Sequence, residues 1–231
     1  MLKISNINKS YGYKKALTDF SLLVEKGEVC GIFGVNGAGK STLFKIISGL
    51  EKADSGEIFF DEKDILNNNF VKIGSMIEKP AFFDNMSGYQ NLELLACLSE
   101  NCKKSNILNA LKETGLFEVR DDLVRTYSLG MKQRLYFASA IMRDVEILLL
   151  DEPFEGIDPI GLFQLEKTII NFAKKENKIV LISSHKIKEI QDIIDQAIFI
   201  DKGFKVYDEK AIKNIDLFTL FIEKVSKQNN S

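Results

Sequence analysis

Apolar and polar residues alternate over Leu2–Ser10 (Leu2, Ile4, Ile7) and again over Leu17–Glu25 (Phe20, Leu22, Val24). Period-two alternation predicts two strands with one buried face each, joined by the turn-like run Tyr11-Gly12-Tyr13-Lys14-Lys15. A short apolar run, Glu28–Phe33, predicts a third strand, and Ser41–Gly49 then carries apolar residues at helical spacing and closes on a glycine suited to a helix C-terminus. Further strands are expected at Glu57–Phe60 and Val71–Ile77, with a polar connection over Lys63–Asn69. From Ser87 to Arg143 the period becomes helical, with three apolar faces (Leu92, Leu95, Ala96, Leu98; Ile107, Leu108, Leu111, Leu116; Leu135, Tyr136, Ala138, Ala140, Ile141, Met142), a helical insert in an otherwise α/β pattern. Strand and helix then alternate: Glu146–Asp151 strand, Ile160–Lys174 helix, Lys178–Ser183 strand, Ile187–Ile194 helix, and strands at Ala197–Ile200 and Phe204–Tyr207. A last amphipathic helix includes Leu217, Leu220, Phe221 and Val225. The unbroken run Ile147–Leu150 suits a strand buried on both faces of a parallel sheet.

Composition narrows the class without naming a chemistry. The chain has 231 residues, 45% of them hydrophobic, enough for one globular domain with an inserted subdomain. A net charge of -2 lacks the global basic field that nucleic-acid binders usually carry, so no nucleic-acid partner is expected. Cys30, Cys97 and Cys102 form no C-x-x-C pair, and an odd, sparse set favours a reducing compartment over a disulfide framework. Met1–Asn6 does not read as a signal peptide, and no apolar run approaches the length needed to span a bilayer. A cytoplasmic protein is expected, at a membrane only if a partner holds it there.

The candidate chemistry begins at Gly34-Val35-Asn36-Gly37-Ala38-Gly39-Lys40-Ser41, a G-x-x-x-x-G-K-S run between a predicted strand and the predicted helix from Ser41, with Thr42 the next nucleotide-binding candidate. Glycines let the backbone approach an anion, and the unpartnered N–H groups of the helix start point at it. Lys40 adds a positive charge for the β- and γ-phosphates, and the Ser41 hydroxyl is a Mg²⁺ ligand. The alternative, a glycine turn with one exposed lysine, does not account for eight positions in register. Asp151-Glu152 stands at the C-terminal end of a buried strand, where open α/β sheets place ligand-contacting residues. Asp151 there suits Mg²⁺, and Glu152 suits a general base that polarises the water attacking a γ-phosphate. Tyr127–Arg134 opens another helix, with Ser128 as a good N-cap and Gly130 permitting close approach of an anion. Tyr11, a short loop upstream of the glycines, reads on its own as a turn tyrosine that packs locally, although an aromatic there is also able to stack on an adenine.

Taken together, these runs resemble the nucleotide-binding subunit of ABC transporters over nearly the whole chain. Gly34–Ser41 is similar to the Walker A loop, Ile147–Asp151 to Walker B followed by the catalytic Glu152, and Ser128-Leu129-Gly130-Met131 to the signature motif, continued by Lys132-Gln133-Arg134. Gly156-Ile157-Asp158-Pro159 resembles the D-loop, and His185, the single histidine, resembles the switch residue that senses the γ-phosphate. The resemblance implies an α/β fold of the P-loop NTPase (RecA-like) type, with an N-terminal antiparallel β subdomain. It places the nucleotide-binding core at 1–85 and 144–208, a helical subdomain at 86–143 and a C-terminal helix and tail at 209–231. It implies ATP and Mg²⁺ as cofactors, catalytic roles for Glu152, His185 and Lys40, and adenine stacking for Tyr11. It implies two partners, a second ATP-binding subunit whose signature caps the γ-phosphate in trans and an integral membrane permease. The permease would hold the chain on the inner face of the membrane, with Phe82, Phe83 and Met86 either as contacts to it or as core packing of the insert.

Two departures from the family pattern carry information. Leu129 and Met131 stand where Gly and Gln are usual, and Glu78 stands where a Mg²⁺-binding glutamine is expected. That pairing resembles the bacitracin and lantibiotic immunity branch, which implies export of, or immunity to, a peptide antibiotic. A soluble ABC-type ATPase acting on nucleic acid or the ribosome is the competing reading. The chain lacks the long coiled-coil insertion, the tandem ATPase units and the basic tail associated with such proteins. A small-molecule P-loop kinase leaves Ser128–Arg134 and His185 unexplained, and an ATP-independent scaffold leaves Lys40, Asp151 and Glu152 unexplained.

Overall fold

The computed structural model describes residues 1–66, 71–77, 82–98, 102–210, 212 and 215–228. The chain opens with β1 (Leu2–Tyr11) and β2 (Lys14–Val24), continues through β3 (Val29–Phe33), α1 (Lys40–Ile47), β4 (Ser55–Phe60), β5 (Lys63–Asp64) and β6 (Ile73–Met76), and enters the helices α2 (Gly88–Cys97), α3 (Lys104–Glu113) and α4 (Leu129–Ile141). It returns through β7 (Ile147–Asp151), α5 (Pro159–Lys174), β8 (Ile179–Ser184), α6 (Ile187–Ile190), β9 (Gln196–Asp201) and β10 (Phe204–Lys210) to α7 (Leu217–Gln228).

The strands form two sheets. One is antiparallel, in the order β2-β1-β4-β5; the other has the order β10-β9-β3-β8-β7-β6, parallel except for the edge strand β10. Strand β7 shows why its sequence lacks alternation. Ile147 and Leu149 pack with α1 and the antiparallel sheet, while Leu148 and Leu150 pack with α5 on the opposite face. All four are fully buried, and each burial contributes about 1.5–3 kcal/mol, so both faces select apolar side chains. The helical block has its own core of Leu92, Ile107, Leu111, Val124 and Leu135. Helix α4 serves two cores at once: Leu135, Ala138 and Met142 face the block, while Tyr136, Phe137 and Ala140 face the parallel sheet. It is therefore wedged between them.

The observed elements depart from the expected ones at several places, three of which have a local cause or consequence. Strand β2 begins at Lys14 rather than Leu17, because the turn closes over Gly12 and Tyr13, with Gly12 at φ 58°. The polar connection expected from Lys63 contains β5, paired with β4 across Asp61 and Glu62, both at positive φ (46° and 67°). That is the backbone of a tight hairpin turn, hidden in the sequence because Glu62 stands where Gly is usual. Helix α6 stops at Ile190 instead of Ile194, and Ile193 and Ile194 turn inward to bury against the core.

Candidate functional site

Strands β3, β8 and β7 lie side by side and parallel, pairing Phe33 with Ser184 and Asp151 with Ser183. The loops leaving their C-terminal ends therefore converge on one crevice. It holds about 230 Å³ and is lined by Tyr11, Lys14, Asn36, Gly37, Lys40, Ser41, Thr42, Asp151 and Glu152, together with Ala16 and Gly39. Gly34, Val35 and Ala38 shape the loop without lining the crevice: Val35 is half-exposed and Ala38 is buried.

The loop glycines divide by cause. A Cβ on Gly34 would sit 2.5 Å from the Ile200 carbonyl oxygen of β9, and one on Gly39 would sit 2.4 Å from that of Ala16 in β2. These two glycines are demanded by backbone packing inside the protein. Gly37, at φ 81°, faces open space on the crevice side. Gly39 caps α1 at φ 118° with no side-chain hydrogen bond, which leaves the first-turn N–H groups for an anion.

Lys40 is 6% exposed, so its charge is held by few groups. Its Nζ donates to the Gly34 carbonyl at 2.7 Å and lies 3.7 Å from Glu152 Oε1. Burial pushes the ammonium pKa below its usual value, and the neighbouring Glu152 and Asp151 carboxylates only partly oppose that. Ser41 Oγ donates to Asp151 Oδ2 at 2.5 Å, and Ser183 Oγ donates to Asp151 Oδ1. Two hard oxygen donors thus meet directly beside the loop, a set that suits a hard cation such as Mg²⁺.

Glu152 carries the site's strain. It adopts φ 50° although it is not glycine and precedes Pro153, a position normally driven toward extended backbone. A left-handed conformation costs an L-residue roughly 1–2 kcal/mol, so neighbouring contacts must hold it. Its N–H donates to the Ser183 carbonyl at 3.2 Å and to Ser183 Oγ at 3.3 Å. Its carboxylate reaches across to His185, with Oε2 at 2.9 Å from Nδ1 and at 3.3 Å from the backbone N–H. Lys40, Glu152 and His185 are thereby joined through one carboxylate.

The structure brings another group together elsewhere. Ser128 caps α4 by accepting from the Met131 N–H at 3.1 Å. Gly130 lies against the Gly156 carbonyl and Asp158, a position where a Cβ would meet the Gly156 oxygen at 3.2 Å. Leu129 covers Gly156, and Asp158 caps α5 by accepting from the Ile160 and Gly161 N–H groups. None of these residues lines the crevice of the same chain. Tyr11 does: it ends β1, half-exposed, with Lys9 Nζ 5.2 Å from its ring centre. Glu78 lies outside the described residues.

The ABC transporter family model matches residues 17–155, more than half of the chain. The chain belongs to the ABC transporter family. It is an ATP-binding subunit of that family and an ATPase. It is 37% identical over 225 residues to the lantibiotic transport ATP-binding protein SrtF of Streptococcus pyogenes, covering 97% of each chain. It is also 37% identical to the bacitracin transport ATP-binding protein BcrA of Bacillus licheniformis, across 88% of this chain and 67% of that one. Among solved structures, a nucleotide-free ATP-binding cassette of an ABC transporter aligns with a TM-score of 0.85 at 24% identity, over 97% of this chain and 98% of that one. The dimeric bacterial ABC transporter cassette MJ0796 aligns with a TM-score of 0.82 at 24% identity, over 91% and 98%. The structural likeness establishes the ABC cassette fold, the α/β core expected from the sequence. Among the described residues no helix is long and apolar enough to cross a membrane.

Sequence reasoning missed several residues that the geometry draws in. Ser183 orients both Asp151 and Glu152. Lys14 lines the crevice. Gln133, 7% exposed, reaches the loop after β7 from α4. Its signal was a lone polar residue one turn before Tyr136 and Phe137, on a face that is otherwise apolar.

Proposed function

We propose that this chain hydrolyses ATP to energise a separate membrane permease, for export of or immunity to a peptide antibiotic of the lantibiotic or bacitracin kind. The observation that carries the reading is the 37% identity to SrtF over 97% of both chains, since relatives of equal length and architecture at this identity commonly share a task. The permease keeps the chain at the inner face of the membrane.

The residues of the crevice divide the work. The Gly34–Gly39 loop and the open N–H groups of α1 cradle the phosphates, and Lys40 pairs with the β- and γ-phosphates. The ring of Tyr11 stacks on the adenine. Ser41 and Asp151, already in contact, would hold Mg²⁺, which when bound neutralises charge on the phosphate oxygens. Glu152 accepts the proton of the attacking water, and His185, 2.9 Å from that carboxylate, keeps it aimed. The Ser128–Met131 segment lies away from its own crevice, which supports a second subunit whose Ser128 and Gly130 close over the γ-phosphate in trans.

Affinity purification of the tagged chain from detergent-solubilised membranes of its host tests the reading. A co-purifying multi-span membrane protein is expected. Recovery with ribosomes or DNA from the soluble fraction alone would refute the transporter role and leave the ATPase.

A further inference from the structure

The strained backbone at Glu152 is held from two sides, and the second side is not the sheet. Strand β8 holds the N–H of Glu152 through Ser183. Helix α4 holds the carbonyl side: Gln133 Nε2 donates to the Pro153 carbonyl at 3.2 Å and approaches the Glu152 carbonyl at 3.4 Å. Gln133 is almost wholly buried, so water does not replace these bonds if they are lost. The two carbonyls belong to consecutive peptide planes, and fixing both sets the direction in which the Glu152 side chain leaves the backbone. That direction brings its carboxylate within reach of Lys40 and His185.

We infer that Gln133 is a positioning residue for hydrolysis: it locks the left-handed turn at Glu152 and ties the carboxylate's aim to the helix that begins at Ser128. It touches no phosphate itself and acts through Glu152, so the inference rests on the assignment of Glu152 as general base. Because Ser128 and Gln133 share α4, a shift of that helix moves the Glu152 and Pro153 carbonyls with it.

The test measures single-turnover hydrolysis and ATP affinity in the full chain. Gln133→Met keeps the length and apolar packing of the side chain but removes both donors. It should lower the hydrolysis rate about ten- to hundredfold, the effect of leaving a buried carbonyl unpaired and its base misdirected, with ATP affinity within about twofold of wild type. Combined with Glu152→Gln, it should cost less than about twofold more, because residues that act through one another are not additive. Gln133→Glu supplies a signature that a packing role does not. Its carboxylate faces two carbonyl oxygens, whereas its protonated form donates to one, so its rate relative to wild type should rise as pH falls from about 8 to about 6. Wild-type hydrolysis by Gln133→Met, full additivity with Glu152→Gln, or a flat pH ratio for Gln133→Glu would each overturn the positioning role alone. Wild-type turnover by Glu152→Gln itself would overturn the base assignment and the positioning role together.

Discussion

Replacing Lys40 with methionine separates what this residue does for the nucleotide from what it does for the fold. An ammonium has three donors. One is committed to the Gly34 carbonyl at 2.7 Å, which leaves two for phosphate oxygens. A hydrogen bond to a charged partner contributes about 1.5–3 kcal/mol, so two supply about 3–6 kcal/mol. Binding must also draw Lys40 away from Glu152 Oε1 at 3.7 Å, and a net loss of about 3 kcal/mol on substitution is the reasonable figure. That corresponds to about a hundredfold weaker Kd for ATP. The fold should respond much less. Burial lowers the pKa of Lys40 relative to the unfolded chain, so the folded state prefers the neutral amine. The charged form therefore costs stability, a cost that methionine relieves, but methionine also leaves the buried Gly34 carbonyl without its donor, so the two effects oppose. Calorimetric titration and thermal melts with and without ATP test both halves. The variant should melt close to wild type without nucleotide, because the relieved charge offsets the lost hydrogen bond, and should lose the rise in Tm that ATP produces. A Kd within about threefold of wild type would refute the role of Lys40 at the phosphates. A markedly lower melting temperature without nucleotide would refute the claim that relief of the buried charge offsets the lost hydrogen bond to Gly34.

The two loop glycines that differ in surroundings should differ in cost. Gly39→Ala drives a Cβ to 2.4 Å from the Ala16 carbonyl at φ 118° and should lower Tm and abolish ATP binding, whereas Gly37→Ala meets no protein atom and should cost only about 1–2 kcal/mol for its positive φ; equal melting temperatures would contradict this. Tyr11→Ala should weaken ATP binding about tenfold while Tyr11→Phe stays near wild type, since stacking of an aromatic on a base contributes about 1–3 kcal/mol; equal affinities for all three chains would remove Tyr11 from the site. Asp158 is held below the usual carboxylate range, first by the Gly161 N–H at the start of α5. Its contribution is therefore complete above the unfolded value of about 4 and fades as pH falls through the lower folded value. The melting-temperature gap between wild type and Asp158→Ala should be full at neutral pH and close in acid; a gap independent of pH would contradict the cap as the cause.

Much of the architecture was legible because local pattern and tertiary environment agreed. The unbroken Ile147–Leu150 run forecast a strand covered on both sides, and it is covered by α1 on one face and α5 on the other. Failures came where a backbone feature lacked its usual residue. The turn before β5 has Glu62 where Gly is usual, and α6 stops at Ile190 although Ile193 and Ile194 bury in the same core as Ile187 and Ile190.

The site divides along the same line. Residues contiguous in the chain, such as Gly34–Ser41 or Asp151-Glu152, announced their chemistry through spacing alone, since a loop wrapped around an anion is a local object. Tertiary structure decided everything that depends on who meets whom. Only the packed fold shows that Gly34 and Gly39 answer to the carbonyls of β9 and β2, and that Glu152 joins Lys40 to His185. It alone discloses that Gln133, nineteen and twenty positions before its partners, holds the loop at Glu152 and Pro153. Sequence alone determined which chemistry the chain carries, because chemistry resides in side-chain types at short spacings. Its aim came from the fold, because distances and angles between remote segments exist only once their apolar faces are buried together.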